Sequence, residues 1–365
     1  MIKLKKSTFA VAALIPIIVV AFVLATCSIV ILYFEFQTQD DNGAEGTTPG
    51  GQDDGGIPPV FENPPDVAVT LSAPDSYLGD HPEATFTVTN TGGSCMVNYT
   101  IFEISPQTGS FSLGEGEGET ITVTGPQVRD IGEWSTSVQV AATNSYGSDF
   151  AQASAGFKVN VEPFDAAPYI NQNEVFFAET NLHQIGEQLI RILANIGALL
   201  GLDTLADGYL PLTAEFNTTN AIAQALAARH PNDQELQAKE IYYWVSDWIS
   251  YDEDWGFLNL EGIAHQAEFP IQTISSRSGI CINYALTLAT LYEAVELDAE
   301  LLVVWNSLFE PGHALVLLHY PNLDYGYYPL GDDRLILDPT AGSTIGWKFG
   351  EYHPQGWTNY DTADV

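Results

Sequence analysis

The sequence predicts a multi-domain chain: an N-terminal transmembrane helix, an all-β sandwich, and a C-terminal region in which helices precede strands. Three observations lead there. Phe9 to Phe34 is an apolar run of 26 residues without a charge. From Asp66 to Val161 apolar and polar residues alternate with period two, the signature of half-buried strands. After Leu182 the apolar spacing becomes helical, and after residue 299 it shortens again into strand-like runs. With 365 residues, 45% hydrophobic and 12% aromatic, the chain has apolar surface enough to offset ordering entropy, which excludes a wholly disordered protein.

The first element follows from bilayer dimensions. About 20 apolar residues in a helix span the ~30 Å hydrocarbon layer, and Pro16 is tolerated inside such a span. Lys3, Lys5 and Lys6 precede the run, while Glu35, Asp40 and Asp41 follow it. That asymmetry predicts a cytoplasmic N-terminus over residues 1–7, a membrane helix over 8–34 and an extracellular remainder. A cleaved signal peptide is the rival reading, but its apolar core usually runs only about 7–15 residues. Leu24-Ala-Thr-Cys27 faintly resembles a lipoprotein cleavage site, although Thr26 suits it poorly. Residues 35–65, rich in Gly, Pro and Asp, read as a flexible acidic linker.

Over 66–162 the strand candidates are Val67–Leu71, Ala84–Thr89, Cys95–Ile101, Glu119–Thr124, Trp134–Ala141 and Ala155–Val161, separated by turn clusters such as Asn90-Thr-Gly-Gly93. This pattern resembles the immunoglobulin-like modules of bacterial and archaeal surface proteins. Gly114-Glu-Gly-Glu-Gly-Glu119 reads as an exposed hairpin rather than a cation loop. Cys95 reads as a structural thiol, and Asn98-Tyr-Thr100 and Asn217-Thr-Thr219 are weak glycosylation patterns. A connector over 163–219 carries an amphipathic helix marked by Ile185, Leu189, Ile192, Ile196 and Leu199.

From residue 220 onward come two helices, near Asn220–Arg229 and Asp233–Ser250. The second carries an aromatic stripe that includes Trp244 and Trp248. Arg277-Ser-Gly-Ile-Cys281 then feeds a long apolar helix, with the cysteine at its start. A helix N-terminus presents unpaired N–H groups and positive partial charge, which favours a thiolate and can later hold an oxyanion. Three strands follow. His313 opens the second and Asp338 closes the third, so antiparallel pairing brings them to one end of a sheet. A thiol, an imidazole to take its proton and a carboxylate to orient the imidazole are the minimum set for acyl transfer.

The order of these segments, Arg-x-Gly-x-Cys-x-x-Tyr-Ala, then Gly-His-Ala, then Leu-Asp-Pro-Thr, resembles the transglutaminase-like superfamily over about residues 220–345. That resemblance implies a papain-like α+β domain, placed here at 220–365, with Cys281 as nucleophile, His313 as base and Asp338 as orienting acid. It also implies a peptide or protein amide as substrate, with a cell-surface polymer as the wider candidate. The sequence departs from relatives at Leu315, Ile282 and Asn283, which leaves the subfamily and substrate open. Gln272 and Trp255 are low-grade candidates for an oxyanion donor. A catalytically inactive adhesion or scaffold protein is the alternative to an enzyme. A metal site built from His313, His319, Asp338 and His265 is a lesser rival, because no tight ligand pair accompanies it.

Charge limits the partners. The chain has 11 Lys+Arg against 47 Asp+Glu, a formal net charge of −36. Binding phosphates needs clustered basic residues, so nucleic acid is excluded as a partner. Solubility or a salty medium accounts for the acidic surface. No cofactor is expected, and calcium stays open only as a modulator, since no acidic loop has the spacing of a calcium hand.

Overall fold

The computed structural model describes residues 63–104, 106–180, 209, 213, 216–252, 267–306, 312–319, 334–341, 349 and 359–365. They fall in one compact unit, Glu62–Val365. The membrane run at 8–34, most of the linker, the amphipathic helix near 185–200, Trp255 and His265 lie outside the described residues.

Two sheets build the first half. One has the order β1(Val67–Ser72), β3(Glu83–Asn90), β6(Gly118–Thr124), all antiparallel. The other has the order β2(Ser76–Tyr77), β8(Gly147–Asn160), β7(Gly132–Asn144), β4(Cys95–Phe102), β5(Gln107–Leu113). Alternation places Phe86, Val88, Val97, Ile101, Val138 and Val140 in a shared core, fully buried. Cys95 lies in that core, and burial pushes its thiol pKa up. The Gly-Glu segment at 114–117 joins β5 to β6 across the two sheets instead of closing a hairpin.

The second half opens with α1(Gln172–Ala178), α2(Asn217–Ala227) and α3(Gln234–Trp248). A two-residue strand β9(Ser250–Tyr251) pairs in parallel with β10(Ser278–Gly279), and α4(Pro270–Ser276) lies between them in the chain. Next come α5(Cys281–Glu293) and the strands β11(Ala299–Trp305), β12(His313–His319), β13(Arg334–Leu337) and β14(Asn359–Asp364). These four form a sheet of order β13-β12-β11-β14, antiparallel throughout. Helix α5 is buried on nearly every side, packing on the sheet with one face and on α3 and α4 with others. Such a helix needs apolar residues all round, and Leu286, Leu288, Ala289 and Leu291 supply them.

The predicted fold class is corrected at its first element. Among the described residues no helix is long and apolar enough to cross a membrane. The longest, α3, has 15 residues, ~22 Å at 1.5 Å per residue, and it carries Glu235, Lys239, Glu240 and Asp247. Its apolar residues face a protein core rather than lipid.

The sandwich and α3 are joined by charged groups. Arg129, between β6 and β7, grips Asp233 with Nη1 and Nη2, each at 2.9 Å, and Glu235 with Nη2 at 2.7 Å. Lys239, whose side chain is 5% exposed, donates to Asp130 at 2.7 Å and to the Arg129 carbonyl at 2.6 Å, and pairs with Glu235 at 2.8 Å. Asp233 also caps α3, accepting from the Leu236 N–H at 3.1 Å. A chain carrying so few basic residues therefore spends two of them on fixing the N-terminal end of one helix.

Candidate active site

Cys281 is the first residue of α5 and is partly buried. The chain reaches it through a constrained turn. Arg277 ends α4 in the left-handed region at φ 58, and its guanidinium stacks on Trp248 of α3, 3.7 Å from the ring centroid. Gly279 then pairs with Tyr251, and a Cβ added to it would lie 2.7 Å from the Asn283 Cβ. Asn283 accepts from the Ile280 N–H at 3.2 Å, which closes the first turn of α5. The Tyr284 hydroxyl donates to the Ile249 carbonyl and ties that turn to the end of α3.

His313 is the first residue of β12, and Asp338 directly follows β13. Because β12 and β13 are antiparallel, with Val316 opposite Leu337, these two side chains reach the same end of the sheet. Nε2 of His313 lies 2.8 Å from Oδ2 of Asp338. The same ring also interacts with the Cys281 side chain. Burial pulls the pKa of His313 down, but the hydrogen bonds and charges of Asp338 and Cys281 outweigh burial and push it up to about 10.

Asp338 is buried and fully engaged. Its Oδ1 accepts from the Thr340 N–H at 3.1 Å and the Thr340 hydroxyl at 2.5 Å, and its carbonyl accepts from the Tyr242 hydroxyl at 2.8 Å. Tyr242 lies on α3, so the helix that the sandwich clamps also supports the carboxylate. The sequence motifs single out neither Thr340 nor Tyr242 as a functional residue. The Leu-Asp-Pro-Thr segment held a signal for Thr340, since an Asp accepts from residues two positions on in a local turn.

Two other expectations fare differently. Oε1 of Gln272 accepts from the Phe269 N–H at 3.0 Å as part of the α4 cap. His319 is paired at the other end of β12: its Nε2 lies 2.6 Å from Glu300 Oε1, which also receives Arg334 at 2.9 Å. Among the described residues no group of three or more His, Cys, Asp or Glu is placed to hold a metal ion.

Residues 217–329 match the family model of a transglutaminase-like domain, the resemblance read from the sequence motifs. The match contains Cys281 and His313 and stops short of Asp338. Among solved structures the chain is similar to a CARDB domain from Pyrococcus furiosus, in complex with di-metal ions, at 21% identity and TM-score 0.21. That likeness covers 28% of this chain and 99% of that one. It is also similar to a beta-glucosidase from Listeria innocua at 16% identity and TM-score 0.17, covering 27% of this chain and 17% of that one. No curated protein matches the chain.

Proposed function

We propose that the transglutaminase-like region is a cysteine acyl-transfer enzyme acting on peptide or protein amides. The observation that carries this reading is one imidazole held between a carboxylate at 2.8 Å and the thiol at the start of α5. The Cys281 sulfur first passes its proton to the His313 ring. The Cys281 sulfur attacks the amide carbonyl and forms a C–S bond. The helix N-terminus offers N–H groups to the oxyanion that develops. As the C–N bond breaks, the His313 imidazolium gives its proton to the leaving amine, and a thioester remains on Cys281. The ring, now neutral, takes a proton from the second nucleophile as that group attacks the thioester. With water the outcome is hydrolysis, and with an amine it is cross-linking. Asp338 keeps the ring in the orientation and tautomer that both steps require.

The test is turnover of a peptide library with an amine donor, read by product mass, in the wild type and three variants. Cys281→Ala loses activity by ~10³-fold or more while keeping its circular dichroism, and His313→Ala and Asp338→Ala lose most of theirs. Full activity in Cys281→Ala removes the acyl-transfer reading, and no turnover even in the wild type leaves a non-catalytic scaffold.

A further inference from the structure

We propose that Thr340 is a positioning residue for the site: it pins one oxygen of the Asp338 carboxylate so that the other is presented to His313. The bearing of this on catalysis rests on the acyl-transfer reading above; the positioning itself does not.

The geometry is asymmetric in a way that matters. Oδ2 of Asp338 meets the His313 ring at 2.8 Å. Oδ1 receives two donors from a single residue, the Thr340 N–H at 3.1 Å and the Thr340 hydroxyl at 2.5 Å. Torsion about the bond to a carboxylate is soft and roughly two-fold, so packing alone holds it weakly. Two donors on one oxygen remove that freedom. The backbone bond by itself is the ordinary turn that an Asp makes two residues on. The hydroxyl bond is additional, because that turn forms without it. Pro339 keeps the connection short and fixes its own φ. The resulting 3₁₀ turn, Pro339–Ala341, packs against both α3 and α5, the helices that carry Tyr242 and Cys281. Tyr242 anchors the Asp338 main chain at 2.8 Å, and Thr340 orients its side chain. Main chain and side chain are thus fixed by different residues on different elements.

Loss of the Thr340 hydroxyl reaches the thiol through Asp338 and His313. Thr340→Val keeps the shape and the backbone donor and deletes the hydroxyl. The carboxylate then samples rotations in which Oδ2 leaves Nε2, and the ring loses part of the charge partner that keeps it protonated. Thr340→Ser restores the hydroxyl.

The measurement is NMR titration of the His313 ring in the full chain, with the signal assigned by its loss in His313→Gln. In Thr340→Val the titration midpoint falls by about one pH unit, and Thr340→Ser recovers most of that shift. On an amide substrate, kcat in Thr340→Val falls roughly tenfold with KM little changed. A Thr340→Val midpoint equal to wild type overturns the proposal. So does an equal fall in both variants, which marks a packing role. Should Thr340→Val unfold, Thr340→Ala takes its place under the same comparison with Thr340→Ser. If the midpoint moves as stated while no variant, nor wild type, turns over any amide, the positioning stands and the acyl-transfer reading falls.

Discussion

Replacing Arg129 with Met tests how the sandwich supports the site. The guanidinium meets Asp233 through two parallel bonds of 2.9 Å and Glu235 through bonds of 2.7 and 3.2 Å. Buried charge-assisted bonds of this kind reach about 1.5–3 kcal/mol apiece. Arg129 is 40% exposed, however, and its partners are 26% and 20% exposed, so solvent screening reduces each pair to ~1 kcal/mol. Lys239 continues to neutralise Glu235, and Asp233 keeps its capping bond. The expected loss is therefore about 2 kcal/mol, or a Tm lowered by roughly 3 °C at ~2.1 cal/mol/K per residue over the unit Glu62–Val365. Desolvation raises the pKa values of Asp233 and Glu235, but the hydrogen bonds from Arg129 outweigh it and leave both below the usual carboxylate range. A depressed carboxylate stabilises the fold above its unfolded pKa of ~4 and stops doing so as pH falls through its folded value. Thermal unfolding of wild type and Arg129→Met across pH 7 to 3 should show the gap closing on the acid side. In 1 M NaCl the gap should also narrow at pH 7. A gap that ignores both pH and salt would mean that Arg129 acts through its alkyl stem, and the electrostatic account would be wrong.

Two further outcomes follow from the site. Gly279→Ala drives a Cβ to 2.7 Å from Asn283, against a residue that closes the first turn of α5. It should cost ~1–3 kcal/mol in denaturant unfolding and lower Cys281 activity as well. Because His313 is pushed up to about 10, its charge contributes to stability fully below ~6.5 and ceases to do so as pH rises through about 10. The alkaline limb of kcat/KM should accordingly fall near pH 10, and a limb near pH 6.5 would contradict the hydrogen bonding described.

Strands with branched or aromatic residues at alternate positions were legible from sequence. The run Val67–Leu71 is β1, Val67–Ser72, and the first of the three strands expected after the Cys281 helix is β11, Ala299–Trp305. Strands whose pattern is set by a neighbour were not. In β5, Gln-Thr-Gly-Ser-Phe-Ser-Leu, Gly109 lies beneath the Tyr99 ring, where a Cβ would come within 2.5 Å, so a turn-like residue occupies a paired strand. In β14, Asn-Tyr-Asp-Thr-Ala-Asp lacks an apolar alternation because it forms the sheet edge beside β11, with only Asp361 and Ala363 buried. At the site, residue types that bear chemistry could be found from order and spacing. Tyr242 could not, because its role depends on a hydrogen bond to a carbonyl 96 residues away.

The most direct test of the central claim is intact-protein mass after acid quench of the full chain turning over a peptide amide. A thioester adduct on Cys281, cleared by hydroxylamine and missing from Cys281→Ala and His313→Ala, is the predicted result. Amide turnover with no adduct at Cys281, or equal turnover once its sulfur is gone, would contradict it.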